Sequence, residues 1–193
     1  MKAPPVTRPV RSVPPRGESI IADDVGGDNA SPLVGLAPVF ARNSRLLVLG
    51  SFPGAASLAA QQYYGHPRNH FWPVLGAIWG LDVVALPYAR RIAELRRRGL
   101  AVWDVYATCR REGSLDSAIE DAVPNDLAGL ARRCPQLQAI AHNGGESARF
   151  MRLTGALGLP VYRLPSTSPA NASWSFERKL AAWREVFLQH GIA

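Results

Sequence analysis

The chain has 193 residues, a formal net charge of +7 and 47% hydrophobic residues, which fits one globular domain with its own core. It contains no run of about 18 apolar residues, so the sequence predicts no transmembrane helix. Its two cysteines, Cys109 and Cys134, are too few for a disulfide framework or a four-cysteine metal site, and they favour a reducing compartment. The excess of basic residues favours an anionic partner, with nucleic acid first.

We predict a disordered tail over residues 1–31. This segment holds five of the 16 prolines and four residues of each charge, and no aromatic residue occurs before Phe40. Such a composition buries too little apolar surface to offset the entropy of ordering. The remaining residues, 32–193, form the predicted domain and carry the whole net charge, with 18 basic and 11 acidic residues.

Short apolar runs alternate with helical patterns along this domain. Each run ends at a polar or turn-forming residue, as buried strands do, and the predicted strands are 45–49, 100–103, 137–141 and 161–164. The predicted helices are 71–79, 87–98, 125–133, 146–153 and 174–190. Strands separated by helices predict an α/β fold with a short, mostly parallel four-stranded sheet that helices cover on both faces.

Ligands bind beyond the carboxyl ends of the strands in sheets of this kind. The segments that follow the predicted strands are 50–71, 104–117, 142–145 and 165–173, and all of them carry polar side chains. We therefore expect the functional residues in these four segments.

The first of these segments combines two glycines with a polar aromatic stretch. Gly50 and Gly54 allow a sharp turn close to a ligand, but their spacing is neither that of a phosphate-binding loop nor that of a nucleophile elbow. Residues 63–72 (YYGHPRNHFW) hold four aromatic residues, two histidines and an asparagine. This stretch either lines a site or is a structured loop whose rings pack on the sheet.

The other three segments offer carboxylate, amide, hydroxyl and guanidinium groups. Asp104 ends a strand, where a carboxylate is either a site residue or the cap of the next turn. The amide of Asn143 either contacts a base edge or caps the helix that follows. The hydroxyls of segment 165–173 either grip a phosphate or belong to an ordinary turn. Arg110 and Arg111 either hold phosphates or lie on a solvated loop.

Five motifs together resemble the uracil-DNA glycosylase superfamily, and most closely its hypoxanthine-DNA (deoxyinosine) glycosylase branch. In chain order they are LVLGSFPG at 47–54, YYGHPRNHFW at 63–72, WDVYATCRREGSLDSAI at 103–119, HNG at 142–144 and LPSTSPANA at 164–172. The resemblance covers residues 32–193. It implies a three-layer αβα sandwich and a DNA-repair enzyme that flips a deaminated base out of the duplex and hydrolyses its N-glycosidic bond.

The resemblance also implies roles for individual residues. Asn69 and Asn143 match two asparagines with catalytic roles in this branch, and Asn69 is expected to orient the attacking water. Phe71 is expected to stack on the flipped base, and Tyr64 to wall its pocket. The other expected base-binding residues are Gly50, Ser51, Phe52, Pro53 and Asp104. The expected DNA-binding residues are Ser166, Thr167, Ser168, Asn171 and Arg110.

Two positions depart from the wider superfamily. Its first motif often has an Asp or Asn that activates water, where this chain has Phe52. Its second motif usually begins with a histidine that stabilises the departing uracil anion, where this chain has Leu164. Both departures favour a purine lesion, hypoxanthine, over uracil.

The two lysines bear on the reaction type. A glycosylase that also nicks the strand needs an amine nucleophile for a Schiff base. Lys2 lies in the predicted tail, and Lys179 lies in the last predicted helix, away from every strand end. We therefore predict a monofunctional enzyme that uses water and leaves an intact abasic strand. We expect it to need no metal or organic cofactor and to act as a monomer in the cytoplasm, associated with the nucleoid through DNA and not with a membrane.

Four alternatives remain open. A uracil-DNA glycosylase of the mismatch-specific type differs only in the base removed. A non-catalytic DNA-binding module explains the charge and the aromatic residues, but not the polar residues at four strand ends. A serine hydrolase with Ser51, His66 and Asp104 has the residue types without the elbow spacing. A metal site at His66 and His70 has helical spacing, but Pro67 between them argues against a helix.

Overall fold

The computed structural model describes residues 31–193, so the predicted tail, apart from its last residue, lies outside the described residues. The strands are β1 (Leu33–Val34), β2 (Leu46–Gly50), β3 (Leu100–Asp104), β4 (Tyr106–Arg110), β5 (Glu120–Pro124), β6 (Ala139–Asn143) and β7 (Val161–Leu164). The helices are α1 (Ala55–Ala60), α2 (Phe71–Trp79), α3 (Tyr88–Arg98), α4 (Leu127–Arg133), α5 (Gly145–Ala148), α6 (Met151–Gly155) and α7 (Phe176–Gln189).

Four parallel strands form the central sheet in the order β3-β2-β6-β7. Strands β2 and β6 lie in the middle and are buried at every residue, as strands covered on both faces are. The four predicted strands are confirmed, and none of their ends shifts by more than two residues.

Alternate residues of β2 face two different cores, because successive side chains of a strand point to opposite faces. Leu46 and Val48 pack in the core that contains residues of α2, α3 and α7. Leu47 and Leu49 pack in a second core with residues of α4. The sheet therefore lies between two helical layers, and the predicted αβα sandwich is confirmed.

The sequence predicted some helices better than others. Helix α2 has the predicted bounds, whereas the predicted helix 146–153 is wrong, because the chain forms two short helices, α5 and α6, with a break between them. Helix α4 begins after Asp126, whose carboxylate accepts a hydrogen bond from Gly129 N at 2.7 Å. Asn125, the expected first residue, instead donates from Nδ2 to the backbone oxygen of Asp104 at 2.9 Å.

A second sheet, antiparallel and in the order β1-β4-β5, stands beside the first. Strand β4 lies inside segment 104–117, where the sequence predicts no strand. The pairing of β4 with β5 shifts register twice, and β5 is exposed at four of its five residues, so neither strand has a clear apolar alternation. Between them a 3-10 turn, Asp116–Ala118, lies at the carboxyl edge of the central sheet.

None of the helices within residues 31–193 has the length and apolar character needed to cross a bilayer. The longest, α7, has 14 residues and packs against α2 and β7.

Candidate active site

A cavity of about 810 Å³ opens at the carboxyl edge of the parallel sheet, within the range of about 300–1,000 Å³ that small-molecule sites occupy. The last residue of each parallel strand lines it, so the four strand-end segments meet at one place. The expected site residues that line it are Gly50, Ser51, Phe52, Pro53, Tyr64, Asn69, Asp104, Asn143, Ser166, Thr167, Ser168 and Asn171. Phe71 and Arg110 do not.

Gly50 and Asp104 end two neighbouring strands and are partners in the sheet register. A Cβ at Gly50 would collide with Oδ1 of Asp104, so a glycine is needed to leave room for this carboxyl group. Asp104 is only 4% exposed, and its Oδ2 has no hydrogen-bond partner within residues 31–193. The cavity lining therefore includes a buried carboxyl group whose Oδ2 has no protein partner.

The surroundings of Asp104 favour its neutral form. Burial, the largest cause, and the nearby Asp116 together raise the pKa of Asp104 to about 7, against the opposing effect of Arg111. Burial dominates because a charge costs more in a poorly solvated site than a neutral acid does. A carboxyl group with a strongly raised pKa in a cavity is a candidate for proton transfer.

The connection between β4 and β5 holds the turn after β2 in place. Ser51 Oγ donates to Asp116 Oδ1 at 2.6 Å, and Arg111 Nη2 donates to the backbone oxygen of Pro53 at 2.6 Å. The Arg111 guanidinium also lies 5.2 Å from the centre of the Phe52 ring. Sequence reasoning missed Asp116 and left Arg111 unresolved, although both belong to the polar motif at 103–119.

Tyr64 is one of four aromatic residues that line the cavity, the others being Phe52, Tyr63 and Trp174. The Tyr64 ring stacks on Phe71, with ring centres 3.8 Å apart and planes inclined by 21°. Phe71 is fully buried and makes edge contacts with Trp72 and Trp183. The expected contact of Phe71 with a flipped base is therefore corrected, because the core of the domain holds Phe71 and Tyr64 covers it.

Asn143 is bonded on both sides of its amide. Its Nδ2 donates to Thr167 Oγ1 at 2.9 Å and to the Tyr64 hydroxyl at 3.2 Å. Its Oδ1 accepts from Thr167 N at 2.9 Å. Both amide hydrogens are engaged within the protein, whereas Oδ1 keeps a second lone pair. Asn143 also lines the cavity, so its expected contact with a base edge stays a prediction and would be made through Oδ1. Asn143 does not cap α5; it joins Tyr64 to the loop after β7.

Asn69 is placed differently. It is half-buried and its Oδ1 accepts from Phe71 N at 2.9 Å, which fixes the side chain at the start of α2. In the part of the chain that the structure describes, its Nδ2 has no hydrogen-bond partner. Asn69 therefore has a fixed orientation in the cavity lining and an Nδ2 group without a protein partner.

The loop after β7 is held together by its own polar groups. Ser168 N donates to Ser166 Oγ at 3.2 Å, and Asn171 Nδ2 donates to the backbone oxygen of Ser166 at 3.1 Å. Thr167 is fully buried, so its expected contact with a phosphate is corrected.

Lys179 Nζ donates to the backbone oxygen of Asn171 at 3.0 Å. The expectation that Lys179 lies away from every strand end is therefore wrong, although Lys179 does not line the cavity.

The remaining candidates do not form a second kind of site. Arg110 lies on β4, with its Nε 3.7 Å from Asp121 Oδ2. His66 lines the cavity but its Nδ1 accepts from Arg68 N, and Ser51 bonds to Asp116. The serine-hydrolase arrangement is therefore contradicted. Within residues 31–193 no three His, Cys, Asp or Glu residues are grouped to hold a metal ion.

An αβα sandwich with a polar and aromatic cavity at its strand ends defines an α/β protein that binds its ligand at the carboxyl edge of the sheet. The family model of the uracil DNA glycosylase superfamily matches residues 37–187, and the chain belongs to this superfamily.

Two curated relatives, from Methanosarcina barkeri and Methanosarcina acetivorans, are both named hypoxanthine DNA glycosylase. They are 37% and 36% identical to this chain over 153 residues, which is 79% of this chain and 96% of each relative. The chain is also similar to the solution NMR structure of a uracil DNA glycosylase candidate from Methanosarcina acetivorans. That match has a TM-score of 0.75 and 34% identity, and covers 82% of this chain and 98% of the other.

Proposed function

We propose that this chain is a monofunctional DNA glycosylase that removes hypoxanthine from deoxyinosine in DNA and leaves an abasic site. The observation that carries the proposal is the cavity at the strand ends, with the buried carboxyl of Asp104 and the stacked ring of Tyr64 in its lining. Membership of the superfamily and the names of the two curated relatives support the same activity.

The flipped base stacks on the exposed face of Tyr64. The ring of Phe71 supports Tyr64 from behind, and the amide of Asn143 holds its hydroxyl. Tyr64 also adopts a left-handed backbone conformation with φ of 54°, which a non-glycine residue adopts at an energetic cost. These constraints support a platform that is organised before the base arrives.

Water is the nucleophile, and Asn69 orients it. Breaking the N-glycosidic bond builds positive charge on the sugar and negative charge on the base. The fixed Oδ1 of Asn69 has a second lone pair that accepts a hydrogen bond from the water and positions it. As the negative end of the amide dipole, Oδ1 also stabilises the positive charge on the sugar. An asparagine does not remove the proton of water, so its part is orientation.

The DNA strands run along the rim of the cavity. Ser166, Ser168 and Asn171, in the loop after β7, line the cavity and hold flanking phosphates. Leu115, between β4 and β5, also lines the cavity and is 60% exposed, and it fills the gap that the flipped nucleotide leaves in the duplex. The enzyme acts as a monomer, without a cofactor, on DNA of the nucleoid.

A duplex with one deoxyinosine or one deoxyuridine tests this proposal. Wild-type protein should release hypoxanthine and leave a strand that breaks only on treatment with alkali. Release of uracil alone would establish the uracil-specific alternative, and no alkali-labile site in either duplex would leave a non-catalytic DNA-binding module. Strand breakage without alkali, or a covalent adduct trapped by borohydride, would contradict the monofunctional mechanism.

A further inference from the structure

The leaving base needs a hydrogen-bond or proton donor, and the two positions at which this chain departs from the superfamily do not supply one. Phe52 and Leu164 both line the cavity and both are apolar, so neither side chain donates a hydrogen bond or a proton. Hypoxanthine leaves a sugar readily only when the electron pair of the broken bond is stabilised on the base. Another group of the cavity must provide that stabilisation.

Asp104 is the group best placed to do so. It lines the cavity, is 4% exposed and keeps Oδ2 without a protein partner. Its main chain is fixed by pairing with β2 and by the amide of Asn125. The missing Cβ of Gly50 makes the space in which the carboxyl group lies.

We propose that Asp104, in its neutral form, is the general acid that protonates N7 of the departing hypoxanthine. This inference rests on the proposed function. The C1′–N9 bond breaks with its electron pair going to the base, while the Asp104 proton bonds to N7. The base then leaves as the neutral N7–H tautomer of hypoxanthine. Water adds its oxygen to C1′, and the proton that it releases returns to Asp104 through solvent.

The charged and titratable groups around Asp104 support a proton donor. Asp116 faces it from the 3-10 turn and disfavours its ionised form, whereas Arg111, beyond β4, favours that form. Tyr63 and Tyr64 face it from the loop before α2, and burial raises the pKa of both phenols, so they add no charge. Burial and Asp116 together outweigh Arg111 and raise the pKa of Asp104 to about 7, which keeps much of it protonated near neutral pH.

Single-turnover kinetics with enzyme in excess test the proposal, because they separate base release from DNA binding. For wild type, the rate constant for hypoxanthine release should be level in acid and fall about tenfold per pH unit above a midpoint near pH 7. Asp104→Asn keeps the size of the side chain but has no acidic proton. It should be about 100-fold slower or more at pH 6, and its rate constant should not vary with pH.

A second variant and a modified substrate give results that would not be expected if Asp104 had only a structural role. Asp116→Asn removes the neighbouring negative charge, so the midpoint of the wild-type profile should shift to lower pH. A duplex with 7-deaza-2′-deoxyinosine has carbon in place of N7, so wild type and Asp104→Asn should cleave it at the same low rate. The matched control is Asp82→Asn, at an exposed aspartate that accepts from Ala85 N and lies outside the cavity lining, and it should behave as wild type.

Several outcomes would overturn the assignment. They are a wild-type rate for Asp104→Asn, a wild-type rate constant that does not fall above neutral pH, and fast cleavage of the 7-deaza substrate. If Asp104→Asn fails to fold, the wild-type pH profile and the 7-deaza substrate decide the question. Hypoxanthine release that does not depend on pH would contradict only the role of Asp104 as general acid. No release by wild type at any pH from about 5.5 to 9 would contradict the proposed function itself.

Discussion

Tyr64 lies face to face on Phe71, with ring centres 3.8 Å apart, and this pair separates the cavity from the core of the domain. The Phe71 ring belongs to the core, where it contacts Trp183 of α7. The Tyr64 ring faces the cavity and is tied by its hydroxyl to Asn143. The platform for a base is therefore supported by the core and positioned by a polar contact.

Replacement of Tyr64 should weaken binding in proportion to the loss of its aromatic face. Tyr64→Ala should cost about 1–3 kcal/mol of binding, as the loss of a base–aromatic stack does. Tyr64→Phe keeps the face and loses only the hydroxyl, so it should bind nearly as well as wild type. The measurement is the Kd for a duplex with a non-hydrolysable 2′-fluoro analogue of deoxyinosine. Equal affinities for Tyr64→Ala and wild type would contradict the stacking role.

The two asparagines should respond differently to mutation. Asn69→Ala should lower the single-turnover rate constant about 100-fold or more, whereas Asn69→Asp keeps an acceptor for Phe71 N and should preserve the start of α2. Asn143→Ala leaves the buried Thr167 N–H without its partner, which should cost about 1–3 kcal/mol of unfolding free energy. Urea unfolding and single-turnover rates, measured on all three variants, check this. An Asn143→Ala protein of wild-type stability would show that its hydrogen bonds are not structural.

The space beside Gly50 should tolerate no side chain. Gly50→Ala places a Cβ against the Asp104 carboxyl group, so we expect base release to fall at least as far as in Asp104→Asn. Gly155→Ala is the matched control, because a Cβ there meets no atom within 4 Å and alanine favours its helix. Near-wild-type release by Gly50→Ala would mean that Asp104 can move without consequence.

Leu115 should matter more for paired than for unpaired lesions. A side chain that fills the gap left by a flipped nucleotide compensates for lost stacking, and a single strand has no such gap. Leu115→Ala should therefore slow release from a duplex about tenfold or more while leaving single-stranded deoxyinosine little affected. Leu188→Ala, at an exposed leucine of α7 outside the cavity lining, is the control. An equal effect on both substrates would contradict the gap-filling role.

Stability should reveal two opposing titrations. Burial lowers the pKa of His142 to about 4, and its ring nitrogens lie 2.8 Å from Ser147 Oγ and 2.9 Å from Thr154 Oγ1. The unfolded chain binds that proton with a pKa of about 6.5, so stability is lost as pH falls from about 6.5 to 4, by about 3 kcal/mol. Asp104 acts in the opposite sense, because its raised folded pKa means that stability is lost as pH rises from about 4 to 7, by about 4 kcal/mol.

In wild type these two effects should largely cancel between about pH 4 and 6.5. Asp104→Asn removes the Asp104 titration, so the unfolding free energy of this variant should fall as the pH is lowered over that range. At pH 8 the variant should have a higher unfolding free energy than wild type. Urea unfolding at a series of pH values measures both curves, and NMR of the His142 ring follows its titration directly. Parallel curves for the two proteins would mean that Asp104 is ionised in the folded protein at neutral pH.

Much of this architecture was predictable from local patterns. The buried strands are consecutive apolar runs, and the rule that ligands bind at the carboxyl ends of parallel strands brought Gly50, Asp104, Asn143 and Leu164 to one edge. Helix α2 has a long apolar pattern and matched residue for residue. The second sheet was not predictable in this way, because its strands are partly exposed and irregularly paired.

The sequence by itself determined the αβα layers, the strand ends that carry the site and the motifs of the superfamily. Only the tertiary structure decided that Tyr64 and not Phe71 faces the cavity. It also decided that the amide of Asn143 hydrogen-bonds to Thr167 and Tyr64, and that Lys179 contacts the loop after β7. The raised pKa of Asp104 was likewise decided by the tertiary structure. A strand pattern depends on neighbours along the chain, whereas the exposure of a ring, the partners of an amide and the pKa of a carboxyl group depend on residues brought together from distant segments.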